Sequence, residues 1–388
     1  MKKNIAIFGS TGSIGKTLCD IIQKDKNNFC VKLLTSHKNT KILLKQIKVF
    51  NVKNIIVTDE KSFFKLKKFF KYTNLNIYND FSELKKIFKH RKIDYLMNSI
   101  SGLEGLEPTL NVIKYCKSIA IANKESIICG WNLIEKELQK YNTKFIPIDS
   151  EHFSIMSLLD NTQIKDVESI FITASGGPFL NYPLSRFKLI TPKLALNHPN
   201  WKMGKKISVD SSTMMNKVFE IIEARKIFNI NYKKLNILIH SKSYVHAVIK
   251  FSNGLTKILV HDTNMTIPIF NSIYNDFQKK IISKKFDTDK MNDLDFQKVD
   301  YKKFPVVKLI SLLPYRHSLF ETVLVSANDA LVNKFLNNEI KFIDISKKLI
   351  KIVKTKEFSK YKYIRPKNVG EIIKLQKYVI SKTNLMCI

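Results

Sequence analysis

The sequence predicts an α/β protein in three parts: an N-terminal domain on a doubly wound parallel sheet, an α+β domain with its own sheet, and a small helical C-terminal domain. Short apolar runs alternate with helical patterns from residue 5 to about residue 149. Strand-like runs recur between residues 171 and 260, and helical spacing follows from Phe304 onward. We therefore place domains at 1–149, 150–274 and 303–388, with a polar linker over 275–302.

The first predicted strand, Ile5 to Phe8, runs directly into the glycine-rich turn GSTGSIG, from Gly9 to Gly15, and then into a helical pattern. Glycines in such a turn allow close backbone approach, and the helix N-terminus presents free N–H groups to a pyrophosphate. The spacing is G-x-x-G-x-x-G, so the strand–turn–helix context carries the argument. We therefore predict a Rossmann-like dinucleotide site.

The second predicted strand, Val31 to Thr35, ends in a segment without an acidic residue, Ser36 to Asn39. An enzyme that uses NADH would place an acid there to bind the ribose 2′-hydroxyl group. Lys38 suits a 2′-phosphate instead, although it also fits an ordinary surface lysine. The missing acid favours NADPH over NADH.

Further strands are predicted at 54–57, 94–98 and 119–122. The last of them leads into Asn123-Lys124-Glu125, which would lie at the carboxyl edge of the sheet, where ligands bind in such folds. Lysine in the first turn of a helix opposes the helix dipole. Lys124 is therefore favoured as a functional residue over a helix-start lysine without a partner.

Two carboxylates, Asp149 and Glu151, follow the predicted strand at Phe145 to Ile148. Side chains two residues apart at a strand end can converge on one hard cation, such as magnesium or manganese. Alternatively the segment is a helix N-terminus, where Asp149 or Ser150 caps and Glu151 favours the dipole. Taken alone, the segment favours this alternative.

A strand at 171–174 is followed by Ser175-Gly176-Gly177, small residues that would expose a hydroxyl and backbone N–H groups to an anion. The irregular segment 197–204 carries Trp201, which suits either a lid that excludes water or a plug in an apolar core.

A third carboxylate, Glu220, lies in the next predicted helix. If this helix begins near Ser211, then Asn216, Lys217 and Glu220 face one pocket. Lys217 suits a phosphate, and Glu220 suits the metal. The alternative is an exposed helix with a weak Lys–Glu pair.

The net charge of +33, from 66 Lys and Arg against 33 Asp and Glu, raises the question of a nucleic-acid or membrane partner. Because the lysines are spread through helices and loops, we expect neither partner.

The five cysteines are scattered and without metal-ligand spacing, which argues for a reducing compartment. With neither a signal peptide nor a membrane span in the pattern, we expect a cytoplasmic protein.

These motifs together resemble the 1-deoxy-D-xylulose 5-phosphate reductoisomerase family. The resemblance runs with little interruption from Lys3 to about Lys250. The stretches that carry it are GSTGSIG (9–15), ANKES (122–126), PIDSEH (147–152), SGGPF (175–179) and HPNWKMGKKISVDSSTMMNK (198–217).

The resemblance implies a role for each matching residue. The implied metal ligands are Asp149, Glu151 and Glu220, which together with Lys124 form the implied catalytic set. The implied substrate-binding residues are Lys124, Ser150, Glu151, Ser175, His198, Ser211, Asn216, Lys217 and Glu220. The implied NADPH contacts are Thr11, Gly12, Ser13, Ile14, Lys38, Asn39, Asn123, Glu125 and Gly204.

The resemblance also implies the reaction. NADPH and a divalent cation (magnesium or manganese, with cobalt as a further option) would support rearrangement and reduction of 1-deoxy-D-xylulose 5-phosphate to 2-C-methyl-D-erythritol 4-phosphate, an isoprenoid precursor. It further implies a homodimer that pairs the middle-domain sheets, a small-molecule substrate, and a mobile flap that contains Trp201 and Met203.

Two other functions also fit parts of the sequence. A different NADP-dependent dehydrogenase for a small phosphorylated aldehyde would explain the first domain but leave the three carboxylates without a role. A basic NADP-binding sensor or nucleic-acid-associated protein would explain the charge, and it predicts salt-dependent binding to nucleic acid.

Overall fold

The computed structural model describes residues 2–88, 92–201, 203–274 and 279–386. Among these, residues in the ranges 1–126, 133–149 and 265–281 form one compact unit. Residues in the ranges 127–132, 150–264 and 282–388 form the other. The helices after Phe304 thus share a unit with residues 150–264. Part of the predicted linker, residues 275–278, lies outside the described residues.

The N-terminal half alternates strands and helices, as predicted. Its elements are β1 (Lys3–Phe8), α1 (Ser13–Lys24), β2 (Phe29–Ser36), α2 (Thr40–Phe50), β3 (Asn54–Val57), α3 (Glu60–Phe69), β4 (Asn76–Tyr78), α4 (Leu84–Phe88), β5 (Ile93–Asn98), α5 (Leu106–Ile113), β6 (Cys116–Ile121), α6 (Lys124–Tyr141) and β7 (Lys144–Pro147).

The remaining described elements contain fewer strands and more helices. They are α7 (Ser150–Leu158), β8 (Val167–Ala174), α8 (Pro192–Leu196), α9 (Lys205–Thr213), α10 (Met215–Ile227), β9 (Leu235–Ile239), β10 (Val245–Phe251), β11 (Thr256–Val260), α11 (Thr266–Ile273), α12 (Thr288–Asn292), α13 (Phe320–Leu336), α14 (Phe342–Lys354), α15 (Lys356–Ser359) and α16 (Val369–Leu385).

The first unit contains a seven-stranded parallel sheet in the order β4-β3-β2-β1-β5-β6-β7. Its central strands are apolar over most of their length because helices cover both faces of such sheets; β1, for instance, is fully buried from Ile5 to Phe8. The strands β2, β3 and β4 are added in turn on one side of β1, and β5 then pairs with the other side of β1. That reversal creates a crevice at the carboxyl ends of β1 and β5, where ligands bind in open α/β sheets.

The glycine-rich turn fits tightly between these two strand ends. Gly9 has φ +73°, and a Cβ atom there would lie 2.7 Å from the carbonyl oxygen of Ser99, which follows β5. Gly12 precedes α1, and no side chain of the described residues caps the first N–H groups of that helix. The turn therefore places backbone donors at the crevice, as the sequence predicts.

The second unit contains a four-stranded sheet in the order β11-β10-β8-β9. β8 and β9 are parallel, whereas β10 runs antiparallel to both β8 and β11. Apolar residues of α7, α10 and three strands form one core, which includes Ile155, Ile172, Ile221 and Ile249. This sheet confirms the strand-like runs predicted between residues 171 and 260.

The C-terminal helices pack on one another in the second unit, with α13 in contact with both α14 and α16. Phe335, Phe342 and Phe358 are buried among them. The helical prediction for this region is confirmed. Across the described residues, the structure contains no helix with the length and apolar character needed to span a membrane.

Gly15 provides a test of how tightly the turn is packed. A methyl group at this position would lie 2.5 Å from the Gly9 carbonyl oxygen and 2.6 Å from the Ser10 Cα. We expect Gly15→Ala to lower the free energy of unfolding by ~2 kcal/mol through overpacking. Urea denaturation measures this. The control is Gly204→Ala, because among the described residues no atom beyond its two chain neighbours lies within 4 Å of a Cβ there. Equal stability of both variants would contradict the prediction.

Candidate active site

Three carboxylates converge near the start of α7. β7 ends at Pro147 and α7 begins at Ser150, so Asp149 directly precedes the helix and Glu151 lies in its first turn. The capping and metal interpretations of this segment are thus compatible. Carboxylate oxygens of Asp149, Glu151 and Glu220 all lie within 4.8 Å of one another. This is a donor set of the kind that hard divalent cations take.

Glu220 reaches this group from α10, which begins at Met215 and not near Ser211, the assumed start of the predicted helix. Ser211 lies near the end of α9, and Met214, with φ +67°, separates α9 from α10. A buried non-glycine residue in the left-handed region costs conformational energy, so the surrounding packing must hold the break in place. The prediction that Asn216, Lys217 and Glu220 share a helix is confirmed, because α10 contains all three.

Lys217 forms ion pairs with two of the carboxylates. Its Nζ donates to Glu151 Oε1 at 2.8 Å and to the carbonyl oxygen of Thr173 at 2.5 Å, and it forms an ion pair with Glu220. Burial alone would lower the pKa of Lys217, but Glu151 and Glu220 together raise it above its ordinary value. The side chain is therefore a permanently charged ammonium group in a buried position.

Asp149 also has a lysine partner. Lys124 is the first residue of α6, where the sequence predicted it, and its ammonium group donates to Asp149 Oδ2. Ser150, which is buried, donates from Oγ to Glu151 Oε2 at 2.6 Å. Each carboxylate of the group thus meets a positive or hydrogen-bonding side chain, as buried charges require.

Ser175 and His198 form a hydrogen-bonded pair in the second unit. The His198 Nδ1 atom accepts from the backbone N–H groups of Asn200 and Trp201, at 3.2 and 3.1 Å. The ring proton is therefore on Nε2, which donates to Ser175 Oγ at 3.1 Å. That oxygen also accepts from the Gly177 N–H at 3.0 Å. The hydroxyl hydrogen of Ser175 is left to donate to a ligand.

Burial, reinforced by the nearby charge of Lys217, lowers the pKa of His198 to about 4. The imidazole ring is consequently neutral at physiological pH. This agrees with the tautomer that the hydrogen bonds require.

The loop after β8 packs against the end of α9. Gly176 and Gly177 have φ values of +80° and +67°, and a Cβ atom on Gly177 would lie 2.9 Å from the Ser211 carbonyl oxygen. Only residues without a Cβ atom fit this close approach at low cost. The loop and Ser211 are thereby brought together, as an anion site composed of both requires.

Asn216 contacts one of the three carboxylates. Its amide nitrogen donates to Glu220 Oε1. Within the described part of the chain, its Oδ1 atom is buried without a hydrogen-bond partner. A buried, unsatisfied acceptor is costly unless a ligand or water completes it.

Several of the residues expected to contact NADPH have structural uses. Asn39 caps α2 by accepting from the Ile42 N–H at 3.2 Å, and Asn123 caps α6 by accepting from the Ser126 N–H at 2.6 Å. The Asn123 amide nitrogen donates to the Gly102 carbonyl oxygen at 2.7 Å. These side chains fix the loops at the carboxyl edge of the sheet.

The other expected cofactor positions follow the carboxyl ends of strands β1, β2 and β6, apart from Gly204, which precedes α9 in the second unit. Gly12, Ser13 and Ile14 lie at the start of α1, Thr11 Oγ1 is 2.9 Å from Ser36 Oγ, and Glu125 is in the first turn of α6. Lys38 is 71% exposed, and its Nζ lies 3.8 Å from Asp59 Oδ1.

Sequence reasoning missed Asp59. It lies just beyond β3, two residues after Val57, and caps α3 by accepting from the Ser62 N–H at 3.1 Å. Since β3 is the parallel neighbour of β2, its end adjoins the end that bears Lys38. The order of the two strands in the sheet is the signal that could have revealed this pair.

Trp201 and the histidines of the second sheet form a ring cluster. The Trp201 ring is 6.2 Å from that of His246, which stacks on His261 at 3.6 Å. Both histidines also bond to the backbone: His246 Nε2 bonds to the His261 carbonyl oxygen, and His261 Nδ1 bonds to that of Asp262. Trp201 is half-buried against His246, on an irregular segment.

Comparisons with known proteins identify one family throughout. Residues 5–130 match the sequence model of 1-deoxy-D-xylulose 5-phosphate reductoisomerase, and residues 145–228 and 261–380 match models of its C-terminal domains. The chain is 60% identical over 387 residues to the 1-deoxy-D-xylulose 5-phosphate reductoisomerase of Pelagibacter ubique, with both chains fully covered. It is 38% identical to that of Clostridium novyi over 345 residues, covering 88% of this chain and 90% of the relative.

Solved structures give the same result. The reductoisomerase from Zymomonas mobilis in complex with NADPH matches with a TM-score of 0.87 at 28% identity, covering 100% of this chain and 99% of that chain. A DOX-P reductoisomerase in complex with NADPH, fosmidomycin and magnesium matches with a TM-score of 0.90 at 27% identity, covering 99% of this chain and 98% of that chain.

The lowered pKa of His198 predicts an acid-sensitive contribution to stability. The ring's pKa is about 4 in the folded protein against an ordinary value of 6.5, so the unfolded chain binds the proton first as the pH falls. The stability conferred by the neutral ring is complete above pH 6.5 and is lost as the pH falls towards 4. Urea denaturation at pH 7 and pH 4.5 measures the effect. Between these pH values the free energy of unfolding should fall more for the wild type than for His198→Asn.

His37→Asn is the control, because that ring is on the surface of the first unit. It should follow the wild type at both pH values. An equal fall in the free energy of unfolding for His198→Asn and the wild type would contradict a buried neutral ring.

Proposed function

The chain belongs to the 1-deoxy-D-xylulose 5-phosphate reductoisomerase family, and we propose that it converts 1-deoxy-D-xylulose 5-phosphate to 2-C-methyl-D-erythritol 4-phosphate with NADPH and a divalent cation. The observation that carries this is the full-length 60% identity, together with three carboxylates that converge within 4.8 Å. A dehydrogenase without a metal would leave these carboxylates unexplained.

We propose Asp149, Glu151 and Glu220 as the metal ligands. The fit rests on their donor chemistry: carboxylate oxygens, close together and partly or fully buried, are what magnesium, manganese or cobalt would need here. When bound, the cation supplies Lewis-acid polarisation of the substrate's carbonyl and hydroxyl oxygens, and NADPH supplies a hydride.

Lys217 and Lys124 balance the charge of this group. Three carboxylates carry three negative charges, and these two ammonium groups already pair with them. With a divalent cation held by the carboxylates, both lysines can donate to oxygens of an anionic substrate. We propose that Lys124 and Ser150 orient the substrate's oxygens and that Lys217 faces its phosphate.

We propose that Ser175, His198, Ser211 and Asn216 bind the substrate phosphate with Lys217. Support comes from Ser175, whose oxygen accepts from His198 and Gly177 in the described part of the chain, so that its hydroxyl hydrogen can donate to a ligand. Gly177 also packs on the Ser211 backbone, so loop and helix form one surface. Fixing the phosphate supplies binding energy remote from the reacting carbons, which orients them.

We propose that NADPH binds at the carboxyl edge of the seven-stranded sheet, where the start of α1 offers uncapped N–H groups. Lys38 can contact a 2′-phosphate because it is largely exposed, although its contact with Asp59 must then weaken. Direct contacts are proposed for Thr11, Gly12, Ser13, Ile14, Lys38 and Glu125, whereas the caps formed by Asn39 and Asn123 support them by holding the loops. Gly204 is proposed as a further contact because it has no side chain to obstruct a ligand.

We also propose a homodimer formed through the second sheet. β11 is the edge strand of that sheet and pairs with β10 alone among the described strands. It bears Ile258, which is 43% exposed, and follows Leu255, which is 60% exposed. An apolar edge strand is a template for pairing with a second copy.

We propose a cytosolic location as well. Cys19, Cys30 and Cys116 are in the thiol form, as is usual in reducing compartments.

Glu220 provides the decisive test. We expect wild-type protein to oxidise NADPH only when both the substrate and Mg²⁺ or Mn²⁺ are present. Glu220→Gln removes one ligand charge, so kcat/KM should fall by about 10²-fold or more, or ~3 kcal/mol of transition-state stabilisation. Absorbance of NADPH follows the reaction, and fluorescence titration should show unchanged NADPH affinity.

Glu168→Gln is the matched control, because that carboxylate is exposed and pairs only with Lys250 among the described residues. It should retain wild-type activity. Absence of substrate-dependent oxidation by folded wild-type protein that binds NADPH would overturn the proposed reaction.

The dimer proposal predicts that a charge on β11 separates the subunits. Ile258→Asp should shift the protein from dimer to monomer in light scattering, because pairing would bury the carboxylate. Leu189→Asp, at an exposed apolar position outside the sheet, should leave the dimer intact. A dimer that survives Ile258→Asp would require another interface.

A further inference from the structure

Helix α10 carries Lys217 and Glu220 and is buried on almost every side. Ten of its residues are buried, among them Val218, Phe219, Ile221 and Ile222. Apolar burial is non-directional, so such packing alone discriminates poorly between neighbouring registers of a helix. Yet the position of Glu220 depends on that register.

Two lysines fix opposite sides of this helix. Lys217 and Lys226 are nine residues apart, which at 100° per residue places them about 180° from each other and about 13 Å apart along the axis. Both are buried, with 5% exposure each. Lys217 contacts Glu151 in α7, whereas Lys226 contacts Glu321 in α13.

The contacts of Lys226 are as specific as those of Lys217. Its Nζ lies 2.9 Å from Glu321 Oε1 and 3.4 Å from the Nδ1 atom of His317. Glu321 is 1% exposed and also accepts from the hydroxyl group of Ser318. Burial and the neighbouring cations lower the pKa of His317 to about 4, so its neutral ring accepts from the ammonium group.

This ion pair takes no part in the chemistry assigned above. A buried ion pair often adds no net stability over an apolar pair of the same size, because desolvation offsets the attraction. Its directional geometry can instead select one arrangement over others. That makes it a device for fixing register.

We propose that Lys226 and Glu321 are positioning residues, which hold α10 at the register and rotation where Lys217 and Glu220 meet Glu151. The inference rests on the proposed metal site. A helix held on two opposite sides at two levels can neither rotate nor slide. A shift of a single residue would rotate Glu220 by about 100° away from the other carboxylates.

The test replaces the pair by apolar residues of similar size, in the double variant Lys226→Met/Glu321→Leu. We expect a folded protein with a melting temperature at or above that of the wild type. Its Mn²⁺ dissociation constant, measured by electron paramagnetic resonance of free Mn²⁺, should rise about tenfold, as for residues that orient metal ligands. KM for the substrate should rise as well, because Lys217 moves with the helix.

The conservative variant Lys226→Arg keeps the ion pair and should retain the wild-type Mn²⁺ affinity. The matched control is Lys250→Met/Glu168→Leu, which removes an exposed pair between β10 and β8 of the same unit. It should leave Mn²⁺ affinity and KM unchanged.

Two outcomes overturn the inference. Wild-type Mn²⁺ affinity and KM in the folded Lys226→Met/Glu321→Leu variant would show that packing alone positions α10. An equal loss in the exposed-pair control would show a non-specific charge effect. Failure of the proposed metal site would give a different result. The wild type would then bind Mn²⁺ no more tightly than the Glu220→Gln variant does.

Discussion

The site depends on the placement of carboxylates where water is scarce. Asp149, Glu151 and Glu220 would repel one another if they were left alone. Lys217 offsets this repulsion from within α10, where its ammonium group also binds the Thr173 carbonyl oxygen. The resulting charge balance lets the three carboxylates stay close together, which is the condition for holding a cation.

Much of the fold and of the candidate site could be predicted because local signals agreed with tertiary structure. The apolar run before Gly9 and the helix after it fix a strand–turn–helix unit whatever surrounds them. Asp149 and Glu151 directly follow a strand. The apolar run of that strand was therefore enough to predict that both carboxylates lie at its end. The spacing between Lys217 and Glu220 likewise follows from one helical turn.

What could not be predicted depends on contacts distant in sequence or on uncommon backbone angles. The break at Met214 has no glycine or proline to signal it, because the packing around a buried methionine imposes its positive φ. β4 is a three-residue edge strand, too short and polar for a periodic pattern. The pairing of Lys38 with Asp59 and that of Lys226 with Glu321 required knowing which elements are neighbours in space.

The hydrogen bonds around Ser175 bear on inhibitor chemistry. Its oxygen already accepts from His198 and Gly177, so the hydroxyl group can offer only a hydrogen to whatever binds beside it. Lys217 likewise can only donate. At the proposed phosphate site, a ligand must therefore present lone pairs to these donors. Phosphonates, sulfonates or carboxylates meet that demand, whereas amines and other donor-only groups would leave these hydrogens unmatched.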